Sequence, residues 1–162
     1  MGQLQPEQLL QLLGTEKSLD ATQLQAATFA WEAFASKDKA TIETYLETPN
    51  PLPYVKRALS VYLAQFPQPP YNLGDIELKL LKCIAELGDA KVYRAIGEVM
   101  GLYNRDYGLS DHATVEWLER LKDDPRKLIA FSRDEKPAEW DIEQIRETFV
   151  HVTDAGKELL AK

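Results

Sequence analysis

The chain has 162 residues, 44% of them hydrophobic, and 26 acidic residues against 19 basic give a net charge of −7. That length supports one domain with a real core, or two small subdomains sharing one, and the acidic balance repels phosphate backbones at long range. A single cysteine excludes an intramolecular disulfide, no Cys/His spacing for zinc occurs, and no apolar run approaches the roughly 18 residues of a membrane span.

In chain order, Gln3–Leu13 reads as a short helix with Pro6 in its first turn and Leu9, Leu12 and Leu13 as its stripe. Ser18 or Asp20 caps a longer helix to about Ala35, in which Leu24, Ala27, Trp31 and Phe34 recur at helical spacing. Asp38 caps a third, with Ile42, Tyr45 and Leu46 inward, and the prolines of Pro49–Pro53 stop it. The fourth has the clearest period: Leu52, Val55, Leu59, Tyr62, Leu63 and Phe66 form one stripe. Pro67–Gly74 is proline-rich and semi-rigid, and it is the best internal boundary. It separates a helical subdomain, residues 1–70, from a second domain, residues 71–162, and the two halves are expected to pack together.

Three helices are expected after that boundary. Asp75 caps the first, with Ile76, Leu80, Ile84 and Leu87 inward and Gly88 behind it. Asp89 caps the second, with Val92, Tyr93, Ile96 and Met100 inward and Gly101 ending it. Leu102–Leu109 then reads as a loop. Ser110 caps the third, with Val115, Leu118 and Leu121 inward, and Asp123-Asp124-Pro125 ends it. A strand at Leu128–Phe131, a polar excursion from Ser132 to about Gln144, a strand at Phe149–Val152 and a helix opening at Thr153-Asp154 complete the chain. The fold expected is mainly α: a four-helix N-terminal subdomain on a C-terminal winged-helix domain of three helices, a β-hairpin wing and a closing helix.

Some of these residues carry a resemblance. Trp31-Glu-Ala-Phe34, then Leu52-Pro53-Tyr54-Val55 with Ala58, Leu59, Leu63, Phe66 and Pro67, then Asn72 ahead of Glu77, Leu80 and Leu81, resemble the C-terminal half of the bacterial domain-of-unknown-function 1835 family. The opening Gly2-Gln3-Leu4 with Pro6-Glu7-Gln8-Leu9 is similar too. Where the family has Asn-Gly-Leu-Ser, this chain departs from it with Asn72-Leu73-Gly74-Asp75. These are packing and cap motifs, so the resemblance implies a lineage rather than a reaction. Members carry a separate N-terminal domain, and the resemblance implies that domain, absent here, as a partner.

No residue pattern marks an enzyme. Ser110 and His112 stand two apart, but N-capping explains the serine, and neither an orienting third group nor an oxyanion site is marked. Cys83 falls on an apolar stripe, where a thiol is a small inert hydrophobe. The carboxylates form no calcium loop, and phosphate-cradling glycines, HExxH and a nucleophile elbow are lacking. No catalytic residue, metal or cofactor is assigned.

Tyr103, Arg105, Tyr107, His112, Trp117 and Arg120 are the candidates for an interaction surface, being aromatic, arginine and adjacent positions around the third helix; covering the edge of the core is the plainer use of such aromatics. A nucleic-acid reading would place Ser110–Leu121 in the major groove, with Lys122, Arg126, Lys127, Arg133 and Lys136 on the backbone. The charges oppose it. Asp111, Glu116 and Glu119 outnumber Arg120 on that helix, and phosphate affinity rests on several Lys and Arg contacts. The sequence therefore points to a non-enzymatic protein-interaction or regulatory module in the cytoplasm, the chain having no signal-peptide pattern. Its expected partner is another protein or the absent domain rather than a membrane. A DNA-binding regulator is the alternative.

Overall fold

The structure, a computed structural model, describes residues 4–133 and 141–162, with the backbone alone for residues 103–106. The chain divides into two compact units, residues 1–59 and 60–162, so the proline-rich segment 67–74 falls inside the second. It is mainly helical, with one small antiparallel sheet. Among the described residues, no helix is long and apolar enough to cross a membrane.

The first unit holds α1 (Pro6–Leu10), α2 (Ala21–Ser36), α3 (Lys39–Glu47) and the start of α4 (Pro53–Leu63). Asp20, not Ser18, caps α2: its carboxylate accepts the Gln23 N–H at 2.8 Å while the Gln23 side chain reaches back to the Asp20 N–H. Asp38 caps α3 as expected, accepting from the Thr41 N–H at 2.8 Å. The stripe expected for α2 is corrected. Leu24, Trp31 and Phe34 are exposed, and the helix buries Ala30 and Ala33 instead. Phe29 packs edge-on against buried Tyr45 of α3, with centroids 5.2 Å apart. Ala30 and Ala33 are three apart on one face of α2, and Trp31 and Phe34, each one residue further on, fall about 100° round from it.

In the second unit, α5 (Asp75–Leu87) opens at Gly74, not at Asp75. The Gly74 N–H donates to Glu77 at 2.8 Å, and a Cβ there would lie 2.2 Å from the Gln65 carbonyl oxygen, so only glycine fits. Asp75 occupies the first helical turn instead. Asp89 does not cap a helix either. It precedes β1 (Ala90–Lys91), a strand not expected from the sequence, and α6 (Val92–Tyr107) follows at once. The backbone explains this: Ala90 pairs with Val150, and the Val92 N–H donates to the Thr148 carbonyl at 2.9 Å.

The loop expected at Leu102–Leu109 is mostly helix. Gly101 does not stop α6, because a glycine inside a helix costs only about 1 kcal/mol and Val92, Ala95, Ile96 and Val99 are already buried on one face. The stop is Gly108, at φ +60°, a left-handed position that suits glycine. Tyr93, expected inward, is half exposed.

Helix α7 (Asp111–Asp123) matches expectation, with Ser110 accepting from the Ala113 N–H at 3.2 Å and Val115, Leu118 and Leu121 buried. Strands β2 (Ile129–Phe131) and β3 (Phe149–Val152) pair antiparallel, Ile129 opposite Val152 and Phe131 opposite Val150. The sheet order is β1-β3-β2, so β3 is central. The excursion between β2 and β3 contains α8 (Ile142–Glu147), which the sequence reading left irregular. Helix α9 (Asp154–Leu160) closes the chain; Thr153 caps it and donates its hydroxyl to the Lys127 carbonyl at 2.6 Å. The core joins α5, α6, α7, the sheet and α9 through Leu80, Ile84, Val99, Leu118, Leu128 and Val150, among others.

Candidate interaction groove

Helices α6, α7 and α8 leave an open apolar groove of about 730 Å³ on the second unit. Its floor is Ile96, Met100, Val115 and Ile145, and its edges are Tyr93, Asp111, His112, Ile142 and Arg146. Each element contributes for a local reason. Ile96 and Met100 are four apart on α6, so the face beside its buried stripe continues into the groove. Ser110 starts α7 where Asp111 and His112 fall at the groove's mouth. Asp141 starts α8 through a reciprocal bond with Gln144, each backbone N–H donating to the other's side chain at 2.8 Å, and that sets Ile142 and Ile145 three apart. Ile142 is 66% exposed and Tyr93 is 51% exposed, and both line the same concavity.

The sequence-derived interaction candidates divide. His112 lines the groove and lies 3.7 Å from Glu116. Tyr107 does not line it; its hydroxyl donates to Asp75 and accepts from Lys79 at 3.0 Å, with the ammonium 4.6 Å from its ring. Tyr107 thus ties the end of α6 to the start of α5. Trp117 is half-buried, and the Arg120 guanidinium stacks on it at 4.3 Å. The side chains of Tyr103 and Arg105 lie outside those described.

The nucleic-acid candidates do not form one basic face. Arg126 is committed internally: it grips Asp124 through contacts of 2.7 and 2.8 Å and donates to the Tyr71 carbonyl at 2.7 Å. That ion pair holds the Asp124 carboxyl below its usual range, the Arg126 hydrogen bond being the largest cause. The Lys122 ammonium sits 5.7 Å over the Phe131 ring. Lys127 is exposed, at φ +55°. Arg133 is half-buried, and Lys136 lies outside the described residues.

The remaining chemistry is sparse. His112 and His151 occupy different clefts, and His151 lies 3.9 Å from Asp89. Cys83 is buried, and that burial, followed by Glu98 and Glu86, pushes its thiol further from the reactive thiolate. Among the described residues, no three of histidine, cysteine, aspartate and glutamate converge as a metal site requires.

The groove depends on α8, which lies in the stretch that reads as a polar excursion. The signal was present: Asp141-Ile-Glu-Gln144 is a capping box, followed by an apolar pair three residues apart. Comparison with protein-family models, with curated proteins and with solved structures finds no match.

Proposed function

We propose that residues 60–162 form a winged-helix module whose task is to bind another protein, with no reaction of its own. The order helix–strand–helix–helix–strand–excursion–strand and the sheet order β1-β3-β2 support the winged-helix reading. In such an arrangement α7 is the helix that would enter a DNA groove. The resemblance to the C-terminal half of the domain-of-unknown-function 1835 family belongs to the same reading and adds a bacterial lineage, not a chemistry.

The single observation that carries the choice of protein over nucleic acid is how the cations near α7 are used. Arg126 is held by Asp124 and a backbone carbonyl, Arg120 lies on Trp117 and Lys122 lies over Phe131. Asp111 and Glu116 stand exposed on the helix itself. Residues 60–162 carry 19 acids and 14 bases. Phosphate binding draws its strength from several free Lys and Arg side chains, and an apolar groove draws its strength from a buried anchor.

Anisotropy titration of labelled duplex and single-stranded DNA tests the choice. The expected result is no Kd better than about 10⁻⁴ M at physiological salt, the weak end of non-specific binding. A parallel arm places a photoreactive amino acid at position 142 or, as a control, at 157, and irradiates cells. A discrete protein adduct from 142 alone is expected. Submicromolar, salt-sensitive DNA binding, or nucleic-acid adducts from 142, would favour the regulator that the element order alone suggests.

A further inference from the structure

Resting on the protein-docking reading, we infer that the groove of α6, α7 and α8 takes a basic amphipathic helix, apolar on one face and lysine- or arginine-rich on its flanks.

Three observations converge. The groove is open rather than a closed pocket, its floor of Ile96, Met100, Val115 and Ile145 is apolar, and its polar side chains, Asp111, His112 and Arg146, stand with Tyr93 at the edges, as in a helix-binding groove. Its exposed apolar side chains, Ile142 and Tyr93, come from two different helices, α8 and α6, so more than one element offers an anchor. Methionine in the floor adapts to varied apolar side chains.

Charge selects among apolar partners. Helix α7 carries four acids against two bases, α8 two against one, and α6 is balanced. Asp111 lines the groove, and exposed Glu116, one turn on from the lining residue His112, lies 3.7 Å from it. Arg146 is the arginine among the lining residues, and Glu143 and Glu147 flank it on the same short helix, Glu147 also meeting Lys91 at 3.4 Å. A partner with acidic flanks meets this field as a like charge, and one with basic flanks is drawn in and oriented. The surface that disfavours a polyanion is thereby suited to a cationic helix.

The test uses the full chain and three labelled peptides of about 14 residues, long enough for roughly four helical turns. One is built of leucine and lysine, one of leucine and glutamate, and one of leucine and glutamine, with leucines spaced to form a single face. Anisotropy is read at low and moderate salt, with circular dichroism of each protein variant as a folding control. The basic peptide is expected to bind, with an affinity that falls several-fold as salt screens the rim. Ile142→Glu, at an exposed position, is expected to weaken it about tenfold. Glu116→Lys is expected to narrow the gap between the basic and acidic peptides.

If no peptide binds, or if the basic peptide binds Ile142→Glu as well as the native chain, the groove proposal is overturned. If the neutral or acidic peptide binds as tightly as the basic one and Ile142→Glu weakens all three, the charge preference falls while protein docking stands. Submicromolar, salt-sensitive binding of labelled duplex DNA by the native chain, measured without peptide, overturns the docking reading beneath it.

Discussion

Arg126 joins two places that are distant in sequence, the end of α7 and the chain just before α5. Its guanidinium spans Asp124 on one side and the Tyr71 carbonyl on the other. Folding makes Asp124 a stronger acid than it is in the unfolded chain, because Arg126 hydrogen-bonds the ionised form. The stability this adds is complete above the unfolded carboxylate value, about 3.9, and drains away as pH falls below it toward the lowered folded value. Replacing Asp124 with Asn is therefore expected to cost about 1–2 kcal/mol at neutral pH, below the full worth of a hydrogen bond to a charged group because the Arg126 side chain is a third exposed. It should also flatten the acid limb of the stability curve below about pH 4. Urea unfolding of both proteins at several pH values measures each effect, and parallel acid limbs would show that Asp124 is not a source of the slope. A composition count sees Arg126 only as a positive charge near a helix end. Its commitment to a carbonyl of residue 71 depends on the folded chain returning to that point, which no local pattern encodes.

Among the elements, legibility followed how much of each signal was local. The caps at Asp20, Asp38 and Ser110 and the closing turn at Thr153 were readable because a side chain three residues from its donor is a short-range event. The pairing of β2 with β3 was readable from two apolar segments of strand length. Strand β1 was not, since two residues cannot show a period and Ala90–Lys91 become a strand only through β3. The face of α2 is hard to read for a related reason: hydrophobicity marks Trp31 and Phe34, but tertiary packing buries Ala30 and Ala33. Central β3 offers a sharp test, because its residues alternate between exposed and buried. Val150→Ala removes two methyl groups from a fully buried position and is expected to cost about 2–3 kcal/mol. Phe149→Ala, next in the chain but on the open face, is expected to cost about 1 kcal/mol or less. Equal losses at the two positions in urea unfolding would mean that the strand's faces are assigned wrongly.

At the scale of the whole chain, the two units differ most in how much apolar surface each buries. The second brings nineteen buried residues into one cluster, from Leu73 to Leu159, among the described residues. Those buried in the first are Ala30, Ala33, Ile42, Tyr45 and Leu59, and two of them are alanines with little to remove from water. Below about 60 residues, a domain buries too small a share of its surface to offset chain entropy comfortably. A chain of residues 60–162 is therefore expected to fold alone, with a single urea transition and a slope of about 1–1.5 kcal/mol per molar. Its near-ultraviolet dichroism should retain the signal of Trp117, which is half-buried under Arg120. A chain of residues 1–59 is expected to show helical signal without a cooperative transition, because α2 and α3 keep their caps but share a thin core. If the longer piece melts without a transition, the groove has no independent scaffold. If the shorter piece unfolds as sharply as the longer, the thinness of its core has been overstated.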